Sequence, residues 1–509
     1  MKPKLLKLRY FTALLCLLCT VSASAYTFEV DSIYYNIYQG EVYVTYKDLS
    51  YNSYKGDVVI PSTVVYNGVE YPVSYIGNNA FSKCTELTSV ILPSTIYKIR
   101  LEAFTDCKNL TYVSIPNTVT EIGHRAFEGC SSLNHVTLPD ALPTLYGSTF
   151  EDCTSLTSIY IPASVTYISG NPFVGCSSLG RIIVAPGNLN YDSRENCNAI
   201  IETASNKMLS GCYNTVIPES IKCIGSYAFN GQSKMTDINL HNNITSIESY
   251  AFEHCSSLTS ITIPDSVRVI EPRSFAYCSN VLTINFHDSI DSIKTCAFAC
   301  CSKMPSVHLP NSIKSMAYGA FWVCNNLESI NIPTKIPAIP DYMCYNANRM
   351  SSLYVPNNIK YIGYSSFESC TYMTELSIGS GVETIAGYAF RNAYKLRDIK
   401  CKAVVPPAVA SAASFDSSCY SSATLYVRKN SVEAYRQADV WKDFQNIVGV
   451  DFPVDVNGDG VMSIQDVASF IDLLLMDEPF TDLELDANGD GVVGIGDVTA
   501  IIDMLLCAD

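Results

Sequence analysis

Histidine occurs six times and tryptophan twice in the 509 residues of this chain, and neither Lys nor Arg stands between Asp451 and Asp509. The six histidines (His124, His135, His241, His254, His287 and His308) do not cluster. No H-E-x-x-H, G-x-S-x-G or phosphate-loop pattern occurs, so the usual residue sets for zinc, serine and nucleotide chemistry are missing. Beyond the N-terminus no apolar run approaches the ~20 residues a membrane-spanning helix needs, and no transmembrane segment is expected. The formal net charge is −16, which removes the electrostatic basis for nucleic-acid binding. No enzymatic activity is expected.

A phenylalanine, by contrast, returns every 23 residues: Phe81, Phe104, Phe127, Phe150 and Phe173, then Phe229, Phe252, Phe275, Phe298 and Phe321, and, past Cys344, Phe367 and Phe390. A fixed period of this length marks stacked repeats, each too small to bury its own apolar face. Leu or Met commonly follows the Phe by six residues (Leu87, Leu110, Met235), and an aliphatic residue by nine (Val90, Val113, Ile238, Ile399). Pro and β-branched residues fill the remainder, which disfavours helix. The step L-x-x-V-x-I suits a short strand with alternate side chains inward. The expected fold is a β-rich solenoid of about 14 coils that accumulates stability between neighbours. His241 and His287 fall at one repeat position two coils apart, ~10 Å by the sheet spacing, too far to share a metal or a proton; all six histidines are read as surface substitutions.

The string AFTDCKNLTYVSIPNTVTEIG (Ala103–Gly123) resembles the repeat of the BspA-like leucine-rich repeat proteins of oral and gut bacteria. So does YDSRENCNAIIETASNKMLSGCYNTVIP (Tyr191–Pro218) in the long insertion. The resemblance covers roughly residues 26–450 and implies a right-handed coil or horseshoe of 23-residue leucine-rich repeats. It also implies a surface or secreted adhesion protein. Residues 26–75 are expected to cap one end, 76–401 to form the solenoid with an insertion at 180–217, and 402–452 to cap the other end, with Tyr435, Trp441 and Phe444 over the last coil.

The first residues, MKPKLLKLRYFTALLCLLCTVSASA, place basic residues before a short apolar run and end on Ala23-Ser24-Ala25. That is the pattern of a secretory signal peptide cleaved near Ala25, and a secreted, extracellular or cell-surface protein is expected. Export and 21 Cys invite disulfides. Yet Cys84, Cys107, Cys130, Cys153, Cys176 and their equivalents all stand three residues after the Phe column. Parallel Cβ vectors in a regular stack do not readily give the dihedral a disulfide needs, so free, buried thiols are expected. Cys197 and Cys212 in the insertion are the best candidates for a pair.

Of the 49 acidic residues, 14 lie between Asp451 and Asp509, and the preceding 450 residues set 35 acids against 33 bases. The acid therefore belongs to a terminal module. Its core is two segments, DVNGDGVMSIQD (Asp455–Asp466) and DANGDGVVGIGD (Asp486–Asp497), 31 residues apart. Each sets Asp, Asn and Asp at loop positions 1, 3 and 5, Gly at 6, a backbone carbonyl at 7 and Asp at 12, which is the spacing of a calcium loop. Two Ca2+ sites are expected: Asp455, Asn457, Asp459, Val461 and Asp466, then Asp486, Asn488, Asp490, Val492 and Asp497. Each loop precedes a helical pattern: Val467, Phe470, Ile471, Leu474 and Leu475, then Val498, Ile501, Ile502, Leu505 and Leu506. The unit resembles the type I dockerin family over residues 453–509, which implies docking to a cohesin-type domain of a partner protein. Loop positions 10 and 11 depart from that family: Ile464-Gln465 and Ile495-Gly496 stand where small hydroxyl residues are usual. A purely calcium-stabilised end module is the competing reading.

The residue between the two aliphatic strand positions faces outward and is mostly uncharged and hydrogen-bonding. Within that column Tyr160, Asn239, Asn285, His308, Asn331 and Tyr354 are the candidate contacts for a protein or glycan ligand. Short polar residues merely solvating an exposed sheet would look the same. The expectation is a non-enzymatic binding or adhesion protein. A non-catalytic structural subunit of a polysaccharide-degrading complex comes next, and a hydrolase last.

Overall fold

The protein is represented by a computed structural model that describes residues 25–452, 463–475 and 493–506. The N-terminal segment expected to be a signal peptide and most of both acidic loops lie outside the described residues.

Each coil carries a short strand, a turn that often begins with Pro, a second strand of two residues, and a tight bend around the Phe. Successive coils pair in parallel with a register of one repeat. Ser158, Ile159, Tyr160 and Ile161 sit against Arg181, Ile182, Ile183 and Val184, and Val269 and Ile270 against Ser292 and Ile293. Among the described residues no α-helix occurs before Cys419. The coils come to about 16 turns, more than the Phe column counts, because cap strands without that Phe extend the ladders.

The Phe rings are fully buried and stack from coil to coil. Phe81 and Phe104 lie 4.8 Å apart at 6°, and Phe252 and Phe275 5.3 Å apart at 1°. Burying such a ring contributes roughly 1.5–3 kcal/mol, with about 0.5–1.5 more from each aromatic pair. Phe390 also stacks on Phe415, a rung that the 23-residue period does not reach.

The bend around the Phe holds two left-handed residues per coil, two before the ring and two after it. Asn79 and Lys83 have φ of 56° and 58°, Tyr250 and His254 of 62° and 61°, and Tyr342 and Asn346 of 56° and 62°. Alternating handedness turns every second N–H the same way. Asn79, Phe81 and Lys83 donate to Leu101, Ala103 and Thr105 of the next coil at 3.1, 2.7 and 2.7 Å. The bend is therefore a third hydrogen-bonded ladder, held against a strain of order 1–3 kcal/mol for each non-glycine residue with positive φ.

The described fold divides into two compact units. One comprises residues up to Ala204 with Ser210–Asn214; the other comprises Ser205–Leu209 and everything from Thr215. The single elongated array expected from the repeats is thus divided within the insertion, whose chain contributes to both units. In the first unit, antiparallel strands Phe28–Val30, Ile33–Tyr38 and Glu41–Thr45 precede the coils, and Tyr54 lays its ring 4.5 Å from Phe81. In the second, Trp441 and Phe444 pack on Phe415. Trp441 donates its indole N–H to the Pro407 carbonyl at 2.7 Å. The helices Ile464–Leu474 and Ile495–Leu506 pack through Val467, Phe470, Val498 and Ile501.

The cysteine ladder is free and largely buried. Cys197 and Cys212 are also free and buried, and the Cys212 thiol donates to the Asn198 carbonyl at 3.4 Å. The candidate disulfide between them is not formed.

Candidate functional site

The strand alternation that buries Leu353 and Val355 turns Tyr354 outward. In the second unit the outward column continues in register from Tyr354 through Ser377 and Lys400 to Tyr426. Lys402 holds its ammonium 5.2 Å over the Tyr354 ring. A groove of about 750 Å3 is lined by His308, Asn331 and Tyr354 with Ser329, Ser352 and Thr334. A second, of about 650 Å3, shares Tyr354 and adds Ser377, Lys400, Tyr426 and Phe452. Both are open and polar-rimmed, shaped to lie against a surface rather than to enclose a small substrate.

Three of the six candidate face residues (His308, Asn331 and Tyr354) therefore share one groove. Asn285 sits on an earlier coil and donates to the Thr262 hydroxyl at 3.0 Å; Asn239 is exposed on another. Tyr160 belongs to the other unit and is half exposed. The Asn331 amide is already occupied. It donates to the Leu309 carbonyl at 2.8 Å and accepts the Leu309 N–H at 2.6 Å, extending the ladder past the two-residue strands Ser306–Val307 and Ser329–Ile330. Lys400 and Tyr426 were missed by the sequence reading. Lys400 is legible, standing 23 residues after Ser377; Tyr426 lies in the cap, outside the period.

The histidines form no site. His241, read as a surface residue, is buried: its Nε2 meets the Pro218 carbonyl at 2.9 Å and its Nδ1 lies 3.6 Å from Glu219. His287 is half-buried; its Nδ1 accepts the Ser289 N–H at 3.2 Å, so its Nε2–H donates to the Val267 carbonyl at 3.0 Å. These two rings tie down carbonyls of neighbouring chain, because a ring nitrogen reaches where no backbone N–H does. Among the described residues, no group of three or more His, Cys, Asp or Glu could hold a metal ion.

Of the expected calcium ligands, Asp455, Asn457, Asp459, Val461, Asp486, Asn488, Asp490 and Val492 lie outside the described residues. Asp466 and Asp497 lie within them and are fully buried at equivalent places. Asp466 accepts the Ser463 N–H at 2.6 Å in a capping box, and Asp497 accepts the Gly494 N–H at 2.7 Å. Buried carboxylates call for compensating positive charge, and residues 451–509 contain no Lys or Arg to supply it. Each copy contributes one described carboxylate, at loop position 12, where a calcium loop takes its last ligand.

A family model described as the BspA type leucine-rich repeat region (6 copies) matches residues 73–201, 205–303 and 270–397, well over half of the chain. None of the curated proteins compared with the chain matches it. Among solved structures, the chain is similar to a leucine-rich repeat protein from Bacteroides ovatus, at 24% identity and a TM-score of 0.52, covering 84% of this chain and 100% of that one. A leucine rich cell surface protein from Faecalibacterium prausnitzii shares 22% identity at a TM-score of 0.42, covering 70% and 95%. The pneumococcal vaccine antigen PcpA shares 14% at 0.49, covering 84% and 100%.

Proposed function

The chain belongs to the BspA-type leucine-rich repeat family, and from that premise we propose that it is an exported, non-enzymatic binding protein. Its strand face contacts a protein or glycan, and its acidic terminal module docks it to a partner. The observation that carries the reading is the outward column of the second unit. It presents the His308 imidazole and, in parallel register from Tyr354 through Ser377 and Lys400 to Tyr426, phenol, hydroxyl and ammonium groups across two adjoining grooves. Such a face recognises an extended surface through many modest contacts.

The terminal module, on this reading, is a pair of calcium loops that bind through Asp455, Asn457, Asp459, Val461 and Asp466, and through Asp486, Asn488, Asp490, Val492 and Asp497. Bound Ca2+ would neutralise carboxylates that repel by roughly 4 kcal/mol per pair at 4 Å and an effective dielectric of 20. Loop position 10 of both copies carries an exposed isoleucine, Ile464 and Ile495. A cohesin-type partner would therefore meet an apolar contact where hydroxyl groups are usual. Export rests on the N-terminal pattern, with cleavage near Ala25.

Calorimetric titration of calcium into the full chain, and into a chain ending at Phe452, tests the module. Two sites present only in the full chain are expected, together with a calcium-dependent gain of helicity. Heat unchanged by the truncation would remove the module from the reading. Ligand binding that survives the truncation would favour the adhesin over a structural subunit of a polysaccharide-degrading complex.

A further inference from the structure

The two left-handed columns that flank the Phe also carry side chains outward. In the first unit they hold Asn79 and Lys83, Glu102 and Asp106, Ser148 and Asp152, polar residues suited to left-handed backbone or to water. In the second unit the same edge turns aromatic. Tyr342 has its ring 5.0 Å from Tyr318, 5.7 Å from Tyr345 and 5.6 Å from Tyr364, and Tyr364 lies 5.3 Å from Tyr388. Trp322 meets Tyr345 at 6.4 Å, and Arg391 caps the far end 4.8 Å over Tyr388.

Folding does not ask for these rings. Tyr342 and Tyr388 sit at φ of 56° and 61°, where Gly or Asn would be less strained. Nor are the rings core: Tyr318 is 46% exposed and Tyr364 37%. Adjacent tyrosine planes are inclined by 41° to 71°, so these tyrosines do not cover one another face to face as the buried Phe rings do. A contiguous aromatic strip that is half-buried at Tyr342, Tyr345 and Tyr388 and exposed at Tyr318 and Tyr364 marks a binding site.

We propose that the tyrosine ladder from Tyr318 to Tyr388 binds a neutral polysaccharide chain. Its charge fits: Glu368 lies 4.0 Å from Arg391, and Asp341 accepts the Tyr364 N–H at 2.7 Å. With no cationic excess, the strip offers nothing to a polyanion. Its spacing fits as well. The rings repeat about once per coil, and a pyranose in an extended chain advances by its own ring and one glycosidic oxygen, a similar step. An extended peptide presents same-face side chains every ~6.6 Å and falls out of register. Ring faces take the C–H faces of the sugars, while the phenol and guanidinium groups take their hydroxyls. The strip is separate from the strand face of the proposed function.

The test is affinity electrophoresis of the full chain in gels cast with xylan, mixed-linkage β-glucan, galactomannan or amylose. Retardation by at least one of these is expected. The pair Tyr342→Asn with Tyr364→Ala should weaken it about ten-fold or more, at an unchanged melting temperature. Tyr342→Phe should keep it, as should Tyr354→Ala on the strand face. No retardation by any of the four overturns the proposal, as does retardation unaffected by the double variant. Loss in Tyr354→Ala alone would overturn it while leaving the strand-face reading intact. Capture of heparin but of no neutral glycan, or of a protein through the same rings, would overturn it too.

Discussion

At the scale of single residues, the cysteine ladder has a reason beyond filling small spaces. The carbonyl of Phe104 accepts the Cys107 N–H at 3.2 Å within its own bend and the Cys130 thiol at 3.1 Å from the next coil. The same pair of donors reaches Phe81, Phe127 and Phe150; at Phe229 the N–H comes from Gln232 and the thiol from Cys255. Alanine would leave that buried lone pair to one donor, and valine would overfill the site. Burial pushes these thiols up, to about 12 for Cys84 and for Cys370, so they persist as thiols and not as thiolate nucleophiles. Cys130→Ala should therefore lower unfolding stability by about 1–2 kcal/mol in denaturant titration. In the native protein iodoacetamide should modify Cys223, Cys296 and Cys300, which are only half-buried, well before the ladder. Modification of the ladder at the same rate would show that the bend opens freely. Burial and the absence of disulfides in the ladder were legible from its 23-residue period. The acceptor was not, because it stands 26 residues away and becomes a neighbour only when the coils stack.

At the scale of elements, charged side chains repeat the same vertical logic. Arg268, Asp291 and Lys314 are each one repeat apart; the Asp291 carboxylate accepts from Arg268 at 2.6 Å and from Lys314 at 2.9 Å. The two hydrogen bonds, from Arg268 first and Lys314 second, hold the Asp291 carboxyl down to about 2 from its ordinary 3.8. A depressed carboxylate stabilises the folded state fully above its unfolded pKa and loses that contribution as pH falls through the folded one. The stability difference between wild type and Asp291→Asn should therefore be constant above about pH 5, shrink from near pH 4 downward, and fall below a fifth of its plateau near pH 2. Denaturation midpoints for the two proteins across that range measure it; a difference that persisted in full at pH 2 would mean that Asp291 acts through packing. The strands were legible because aliphatic residues recur at fixed steps and Pro breaks the helical alternative. The left-handed pair in each bend was not, since its columns hold Asn, Glu, Arg, Tyr and Cys, not a row of Gly. Inter-coil hydrogen bonds, which no local pattern reports, fix that geometry. The aromatic edge escaped for the same reason: its residues alternate between neighbouring columns, and only the bend brings Tyr318, Tyr342 and Tyr364 together.

At the scale of the molecule, repetition predicts one cooperative array, whereas the contacts divide it into two compact units within the insertion. In a stacked array stability sums over nearest neighbours, so a weak junction lets the parts on either side open separately. The insertion at residues 180–217 is the candidate for such a junction, because the Phe column is interrupted there between Phe173 and Phe229. The sequence marked the interruption but not the division into two units, since an insertion can equally be packed through. Removing a buried Phe ring costs about 3–5 kcal/mol, enough to expose the difference. Phe127→Ala should raise amide hydrogen exchange through residues 76–170, leaving 240–400 protected. Phe275→Ala should do the reverse, as read by mass spectrometry of peptides from each unit. If either substitution loosened both stretches equally, the insertion would transmit folding free energy as well as any other coil, and the chain would unfold as one piece. Separate responses would mean that the unit carrying the grooves and the tyrosine ladder keeps its binding surfaces when the other is strained or opened. For the proposed binding role that arrangement matters, because local opening with a low free-energy cost then stays on the side of the junction where it began.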